Sequence, residues 1–166
     1  QRNSRMCMIC GLDNEYGVNA PFYNMEDGSV MTVFRYKEQH QSYPGRVHGG
    51  MITAMLDEMG LRSLWAKELS EETFGVTISL DTKYRKPVPY ETELIGRGVV
   101  VKNTSHFIIT DSYIMDKDGE ILANGRIKYI KMDTQKIQEG IEVHEEMPYL
   151  VEDGRTEIEG PFFDNL

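Results

Sequence analysis

The sequence predicts an α+β fold in which an antiparallel β-sheet wraps around one long helix. Two observations support this prediction. The apolar residues of the stretch 50–69 cover most of a helix circumference, so this helix needs packing partners on nearly all sides. Four strand-like stretches then follow in succession, and consecutive strands joined by short turns form an antiparallel sheet.

The remaining elements are predicted from periodicity and turn residues. Residues 1–19 show no clear period and are expected to be irregular or a short helix. Two strands are expected around the turn Glu26-Asp27-Gly28, and Pro44-Gly45 marks the loop that precedes the helix. The expected strands are 20–25, 29–36, 74–86, 92–102, 106–115 and 120–132, and the expected helix is 50–69. In the second strand one face carries Val30, Thr32, Phe34 and Tyr36.

The charge of the chain divides it into two parts. Residues 133–166 hold ten acidic and two basic side chains, whereas residues 1–132 hold 17 acidic and 16 basic side chains. The acidic part also has few β-branched residues, so we expect a loosely packed tail at 133–166 that can be removed without loss of folding or activity. The domain itself is expected to span 1–132, including an N-terminal extension.

The composition excludes several classes of function. The nearly neutral domain lacks the basic field that nucleic-acid binding requires, so no nucleic-acid partner is expected. No apolar run approaches the roughly 18–20 residues of a membrane span. The N-terminal residues also lack the apolar stretch of a secretory signal. We therefore expect a cytoplasmic protein that does not bind a membrane.

One acidic pair, Asp57-Glu58, lies within the apolar helix, and its two carboxylates have different surroundings. The helical neighbours of Asp57 carry no charge, which predicts a carboxylate that faces apolar surroundings without a local partner. Glu58 has Arg62 four residues later, which predicts a solvated surface ion pair. Because a buried, unpaired carboxylate is costly, Asp57 is the candidate catalytic residue.

The helix begins at Gly49-Gly50, and its N-terminus offers the other half of a site. Unpaired backbone N–H groups and the positive end of the helix dipole lie at this end of a helix. Glycine lets a ligand approach these groups closely, and they can polarise a carbonyl and hold the oxyanion that forms on attack. The alternative is that the two glycines only turn the chain into the helix.

Three motifs together resemble the hotdog-fold acyl-CoA thioesterases of the PaaI-like type, within the wider thioesterase superfamily. The first is His48-Gly49-Gly50 before a helix, with an acidic residue nine positions after the histidine. The others are the strand 75–87 and the segment Cys7-Met8-Ile9-Cys10-Gly11. This resemblance covers roughly residues 5–132 and implies a hotdog fold that acts on an acyl-CoA.

The chemistry of a thioester fits these residues. The leaving thiolate has a pKa near 8.5, so its departure needs no strong acid and no metal. Asp57 serves as nucleophile or general base, and the N–H of Gly49 polarises the carbonyl. In the resembled family the residue at His48 usually positions the loop, with a general base as the alternative. Thr77 matches a hydroxyl that orients water in some relatives, or is an ordinary strand hydroxyl.

Coenzyme A would enter as part of the substrate, and its phosphates require basic partners. Lys83, Arg85 and Lys86 cluster at the end of the strand after the helix, and Arg46 lies in the preceding loop. A solvated strand end would explain these residues equally well. Gly50 and Ser42 complete the candidate binding residues; some relatives have asparagine at the latter position, so its contribution differs here.

No metal or other cofactor is expected. The pair Cys7 and Cys10 has the spacing of zinc ligands, but the sequence holds no second pair. His40 and His48 also lack a nearby residue of ligand type.

The spacing of Gly49 and Asp57 predicts a dimer. Eight residues of helix separate them by about 12 Å, and a carbonyl bound at the first lies out of reach of the second. If both act, they come from different subunits whose helices lie antiparallel across a two-fold axis. The resembled family implies the same arrangement, as a homodimer or a dimer of dimers (a homotetramer).

Two other functions remain open from the sequence. Hotdog hydratases and dehydratases use a catalytic histidine with a more distant acid, and their usual loop pattern of Asp followed by His is missing here. A non-catalytic acyl-CoA or lipid binder is the second alternative, although such a binder would gain from an apolar residue in place of Asp57.

Overall fold

The computed structural model describes residues 1–68, 73–132 and 147–158, and in it one helix packs against a large antiparallel sheet. This arrangement is the hotdog fold, so the predicted fold class is confirmed. The elements are β1 (Arg2–Asn3), β2 (Tyr23–Asn24), β3 (Val30–Phe34), a 3-10 turn (Glu38–His40), β4 (Gln41–Tyr43), β5 (Arg46–Val47), α1 (Gly49–Glu68), β6 (Phe74–Tyr84), β7 (Leu94–Asn103), β8 (Phe107–Met115), β9 (Ile121–Met132) and β10 (Tyr149–Leu150).

The main sheet has six antiparallel strands in the order β2-β3-β7-β8-β9-β6. Each of its strands was predicted, although β2 is much shorter than expected. The pairs β1–β10 and β4–β5 were not predicted, because strands of two or three residues have no readable period. The predicted end of the helix, Leu69, lies outside the described residues. Of the described helices, none has the length and apolar character that crossing a membrane requires.

The sheet curves closely around α1, and glycines make this approach possible. A Cβ atom on Gly98 of β7 would lie 2.5 Å from the backbone oxygen of Met59. Met55, Leu56 and Met59 are fully buried between the helix and the sheet. The predicted helix is apolar on most of its circumference because the curved sheet packs against more than one of its sides.

The outer face of the sheet carries a second, smaller apolar cluster. Met31 and Val33 of β3 point away from the helix and pack with Ile95 and Met115. Ile158, from the C-terminal part of the chain, packs against this cluster. The strand β3 is consequently buried on both faces, and the face that the sequence singled out, with Val30, Thr32 and Phe34, is one of the two.

Part of the predicted acidic tail lies on the domain. Residues 147–158 pair with the N-terminus through β1 and β10, and Tyr149 Oη donates a hydrogen bond of 2.8 Å to Asp13. Tyr23 Oη donates another to Asp153. These residues are therefore not the loosely packed appendage that the composition predicted, because apolar and aromatic side chains anchor them. Residues 133–146 and 159–166 lie outside the described residues.

Removal of residues 133–166 is expected to leave an active protein with a lower unfolding temperature. Activity should persist because the candidate site residues lie on α1 and β6. The contacts of residues 147–158 with β1, Asp13, Tyr23 and the outer cluster involve neither element. Stability should fall because Ile158 no longer covers the outer cluster. Thermal unfolding and activity measurements report the two effects. Tyr149→Phe, which removes one exposed hydrogen bond, is the control and should leave the unfolding temperature nearly unchanged. Loss of activity on truncation would contradict this prediction.

The predicted ion pair between Glu58 and Arg62 is present at 2.8 Å, but the prediction of a solvated surface pair is wrong. The Arg62 side chain is only 1% exposed, because the N-terminal segment covers this flank of α1. Arg62 Nη1 donates to the backbone oxygen of Arg2 at 3.0 Å. Its guanidinium also lies 4.2 Å from the centre of the Phe22 ring. A buried arginine requires such partners.

Candidate active site

A strip of polar residues runs along the boundary between α1 and β6. On the helix, Gly49, Thr53 and Asp57 recur every four residues and share one face. Opposite them on β6 lie Tyr84, Thr82 and Thr77. We call these six residues the polar strip. Tyr84 Oη donates to the backbone oxygen of Gly49 at 3.1 Å and lies 2.7 Å from Thr53 Oγ1. The two ends of the strip are thus the two predicted halves of the site.

Asp57 is held at one end of the polar strip by a strand hydroxyl. Thr77 Oγ1 donates a hydrogen bond of 2.8 Å to Asp57 Oδ1. Burial raises the pKa of Asp57 above its usual value, although the Thr77 hydrogen bond acts in the opposite direction. Asp57 has no partner on its own helix, as predicted, but it has one on β6. The structure thus brings Asp57 and Thr77 together.

A β-bulge in β6 determines which residues face the helix. The register with β9 shifts between Thr77 and Ser79, so Ile78 is the additional residue. After this bulge the alternation changes, and Thr82 and Tyr84 face α1 on the same side as Thr77. Without the bulge, strict alternation would turn these two side chains away from the helix.

The other end of the polar strip is the start of α1. His48 precedes the first helical residue, and its Nδ1 accepts the N–H of Gly50 at 2.9 Å. The backbone N–H of His48 donates to the backbone oxygen of His40 at 2.8 Å. His48 therefore shapes the loop, which is the role that the resemblance implied for it. Its participation in the chemistry stays a prediction.

The space for a side chain differs between the two glycines at the helix start, Gly49 and Gly50. A Cβ on Gly50 would lie 3.0 Å from His48 Nδ1, so the imidazole cap itself favours glycine there. A Cβ on Gly49 would make ordinary contact with Tyr84, at 3.4 Å from its Oη. Neither packing nor backbone therefore requires glycine at position 49. Among the described residues, the N–H of Gly49 has no acceptor, which leaves it available to a ligand.

Basic residues adjoin this end of the polar strip. Arg46, Arg85 and Lys86 line an open groove of about 370 Å³ together with Gly49 and Tyr84. Arg85 Nε donates to Asn124 at 2.7 Å, and Lys86 pairs with Glu120. The structure does not bring all the predicted binding residues together. Lys83 and Ser42 are exposed but do not line this groove.

Two tyrosines of the site were not identified from the sequence as site residues. Tyr84 links Gly49 to Thr53, and Tyr129 of β9 donates to the backbone oxygen of Asp57 at 2.7 Å. Burial raises the pKa of Tyr129, so it remains a neutral hydroxyl donor. The alternation of side chains along β9 could have predicted that Tyr129 faces the helix. For Tyr84 the alternation along β6 gives the wrong face, because the bulge at Ile78 shifts it.

Comparison with known proteins finds similarity to thioesterases. Residues 44–123, which hold the helix start, Asp57 and Thr77, match the model of the thioesterase superfamily. The chain is 26% identical to the acyl-coenzyme A thioesterase THEM4 of Rattus norvegicus over 127 residues. That alignment covers 76% of this chain and 52% of the rat protein, so the chain spans about half the length of this relative.

Solved structures show the same fold. The thioesterase superfamily protein RHA08564 is 26% identical and superposes with a TM-score of 0.67, covering 75% of this chain and 63% of that protein. The BH2602 protein of Bacillus halodurans, whose crystal structure contains CoA, is 20% identical with a TM-score of 0.60. The alignment covers 70% of this chain and 76% of the BH2602 chain.

Proposed function

Because the chain has the hotdog fold and its residues 44–123 match the model of the thioesterase superfamily, we propose that this protein hydrolyses the thioester bond of an acyl-coenzyme A. The observation that carries this proposal is the polar strip, with a half-buried carboxylate at one end and an available helix N–H at the other. The relatives that are named acyl-coenzyme A thioesterases support the choice of substrate class.

The reaction needs one attacking group and one hydrogen-bond donor. The N–H of Gly49 binds the thioester carbonyl oxygen and stabilises the negative charge that develops there. Asp57 either attacks the carbonyl carbon directly or removes a proton from a water molecule that attacks it. In both cases the C–S bond breaks, the thiolate of CoA leaves, and water supplies the hydroxyl of the product acid. Thr77 holds the carboxylate in position.

We propose that each site combines two chains. The distance of about 12 Å between Gly49 and Asp57 along α1 is too long for one carbonyl to contact both. The two residues nevertheless lie on the same face of the helix, beside β6. A second copy related by a two-fold axis, with its helix antiparallel, would place its own Gly49 near Asp57 of the first.

The edge of the sheet supports this assembly. The strand β6 has 11 residues and pairs with β9 on one side only, within the described part of the chain. Val76 and Ile78 on this strand are 45% and 49% exposed. A long edge strand with exposed apolar side chains is a site of association unless it is covered, so we propose that β6 of a second copy covers it. The polar strip, which adjoins β6, would then be enclosed between the two chains.

The groove beside Gly49 suits the charged part of the substrate. Arg46, Arg85 and Lys86 would contact the phosphates of CoA while the thioester reaches the N–H of Gly49. In this orientation the thioester carbonyl lies between the N–H of Gly49 and the partner's Asp57. Lys83 and Ser42 remain outside the groove, so we expect smaller effects from their replacement.

The proposal is tested by measuring thiol release from a panel of acyl-CoA thioesters that differ in chain length and polarity. We expect turnover of at least one member, and the preferred member identifies the acyl class. Binding without thiol release would favour the non-catalytic alternative, and hydration of an enoyl-CoA would favour the hydratase. The absence of a required cofactor and a cytoplasmic location both stay predictions.

The pH dependence of the reaction should report the environment of Asp57. Burial raises the pKa of this carboxyl, so activity should be lost as pH falls through a value above the usual 3.9 or so of aspartate. Thr77→Val removes a hydrogen bond to the charged form, so it should raise the pKa of Asp57 further and move this acid limb to higher pH. Thr82→Val, in the polar strip but not in contact with Asp57, is the matched control. An unchanged limb in Thr77→Val would contradict the assignment.

A further inference from the structure

Two cysteines and a glutamate meet on the flank of α1 that the N-terminal segment covers. The Sγ atoms of Cys7 and Cys10 and a carboxylate oxygen of Glu58 all lie within 4.8 Å of one another. Cys10 is 2% exposed, and Cys7 and Glu58 are partly buried. Glu58 is the neighbour of Asp57 in sequence but contacts the N-terminal segment rather than β6. The proposed hydrolysis uses none of these three groups.

The turn from Cys7 to Gly11 is built around the first sulfur. The backbone N–H of Ile9 donates to Cys7 Sγ at 3.4 Å, and that of Gly11 donates to the Cys7 oxygen at 2.9 Å. A Cβ atom on Gly11 would lie 2.5 Å from the Cys7 nitrogen, so only glycine allows the turn to close. This turn places both sulfurs on one side and directs an N–H dipole at the first of them.

One cation, Arg62, already adjoins the cluster. Its Nε lies 2.8 Å from Glu58 Oε1, and its side chain is only 1% exposed. A divalent cation bound by two thiolates and this carboxylate would balance the remaining negative charge. Two thiolates, the Glu58 carboxylate, one divalent cation and the buried Arg62 together carry no net charge.

From this geometry we propose that Cys7, Cys10 and Glu58 bind a structural zinc ion. Two thiolates at Cys-x-x-Cys spacing and a carboxylate are zinc ligands, with water as the fourth on the partly exposed side. In a tetrahedral zinc site the ligand atoms lie about 3.5–3.8 Å apart, so side-chain movements of about 1 Å would suffice. Such an ion would connect the N-terminal segment to α1 at Glu58. This residue directly follows Asp57, the proposed catalytic residue.

The sequence predicted no metal because it offered no third ligand near the cysteines. Glu58 lies 48 positions after Cys10, and only the packing of the N-terminal segment on α1 brings them together. The expectation that the reaction itself needs no cofactor is unaffected, because Asp57 faces β6 and the zinc ligands do not.

Elemental analysis of the full chain tests the proposal. Protein produced with added zinc, and purified with a reductant but without chelator, should retain about one zinc per chain after gel filtration. Replacement by Co²⁺ should give the near-ultraviolet absorption of a thiolate-to-cobalt charge transfer. Removal of the metal should lower the unfolding temperature.

Variants distinguish this site from others on the protein. Cys7→Ser and Cys10→Ser should each lose the zinc and the cobalt absorption, and Glu58→Gln should bind the metal more weakly. Asp57→Asn, which changes the neighbouring carboxylate, should bind zinc normally. Should the cysteine variants fail to fold, the wild-type protein still gives an answer. A thiol reagent should modify Cys7 slowly with zinc bound and rapidly after chelation.

Three results would overturn the proposal. The first is protein that binds no stoichiometric zinc and whose thiols react equally fast with and without chelator. The second is zinc that persists in folded Cys7→Ser and Cys10→Ser proteins, which places it elsewhere. The third is a Cys7–Cys10 disulfide that persists in the presence of reductant and excludes the metal.

Discussion

Replacement of Asp57 by asparagine is expected to lower turnover of the best acyl-CoA substrate by about 10²- to 10⁴-fold, the usual contribution of a positioned acid–base group. Asparagine keeps the size of the side chain and an oxygen that accepts the Thr77 hydrogen bond, so the fold and substrate binding should be retained. The loss should therefore appear in kcat rather than in KM. Steady-state kinetics of thiol release measures both.

The same replacement should stabilise the protein near neutral pH. Burial raises the folded-state pKa of Asp57 above the ordinary value of 3.8. A group of this kind contributes stability below its unfolded pKa and loses that contribution as pH rises through the folded pKa. Asparagine cannot ionise, so the variant should unfold at a higher temperature than the wild type at pH 7. The difference should disappear in acid.

Asp118→Asn is the matched control for both effects, since Asp118 is an acid in the turn between β8 and β9, 77% exposed and away from both the polar strip and β6. It should leave activity and stability nearly unchanged. An Asp57→Asn protein with turnover within about tenfold of the wild type would show that this carboxylate is not the reacting group. A folded but inactive and more stable variant would instead agree with a functional carboxylate held at a cost in stability.

The helix and the main sheet could be predicted because they depend on local pattern. The apolar residues of α1 and the turn-separated strands from β6 to β9 are regular over nine or more residues each. Asp57 could be singled out for a similar reason, because helical spacing shows that its neighbours carry no charge. These features follow from residues that are close together in the sequence.

Features that depend on distant contacts could not be predicted. Arg62 is buried because the N-terminal segment covers it, and Glu58 meets Cys7 and Cys10 for the same reason. The position of residues 147–158 depends on contacts such as Ile158 against the outer face of β3. No local period encodes these contacts, since the segments that make them have strands of only two residues.

The geometry of the site was predicted in part. The spacing of Gly49 and Asp57 along one helix predicted a site shared by two chains, and the structure adds that both residues lie beside β6, which pairs on one side only within the described residues. The role of Tyr84 could not be predicted, because a single extra residue at Ile78 changes which β6 side chains face the helix. A bulge of this kind has no reliable sequence signal.

The central claim is that each active site joins Gly49 of one chain to Asp57 of another. It can be tested with two inactive variants, Asp57→Asn and Gly49→Pro. Proline removes the N–H, and it is well tolerated at the first residue of a helix, which is the position of Gly49. Gly49→Ala keeps the N–H, and its Cβ makes only ordinary contact with Tyr84, so this variant is the control for folding.

Co-expression of the two single variants with different affinity tags allows the heterodimer to be isolated. A shared site predicts that one of its two sites contains both intact residues and the other contains neither. The heterodimer should then recover about half of the wild-type activity per dimer. A double variant with both changes, paired with the wild-type chain, is the reciprocal control and should be inactive as a heterodimer.

The measurement that decides the matter is thiol release by these two purified heterodimers, side by side. We predict that the heterodimer of the single variants is active and that the heterodimer of wild type and double variant is not. The opposite result, an inactive pair of single variants and a half-active pair of wild type and double variant, would show that each site lies within one chain and would contradict the account.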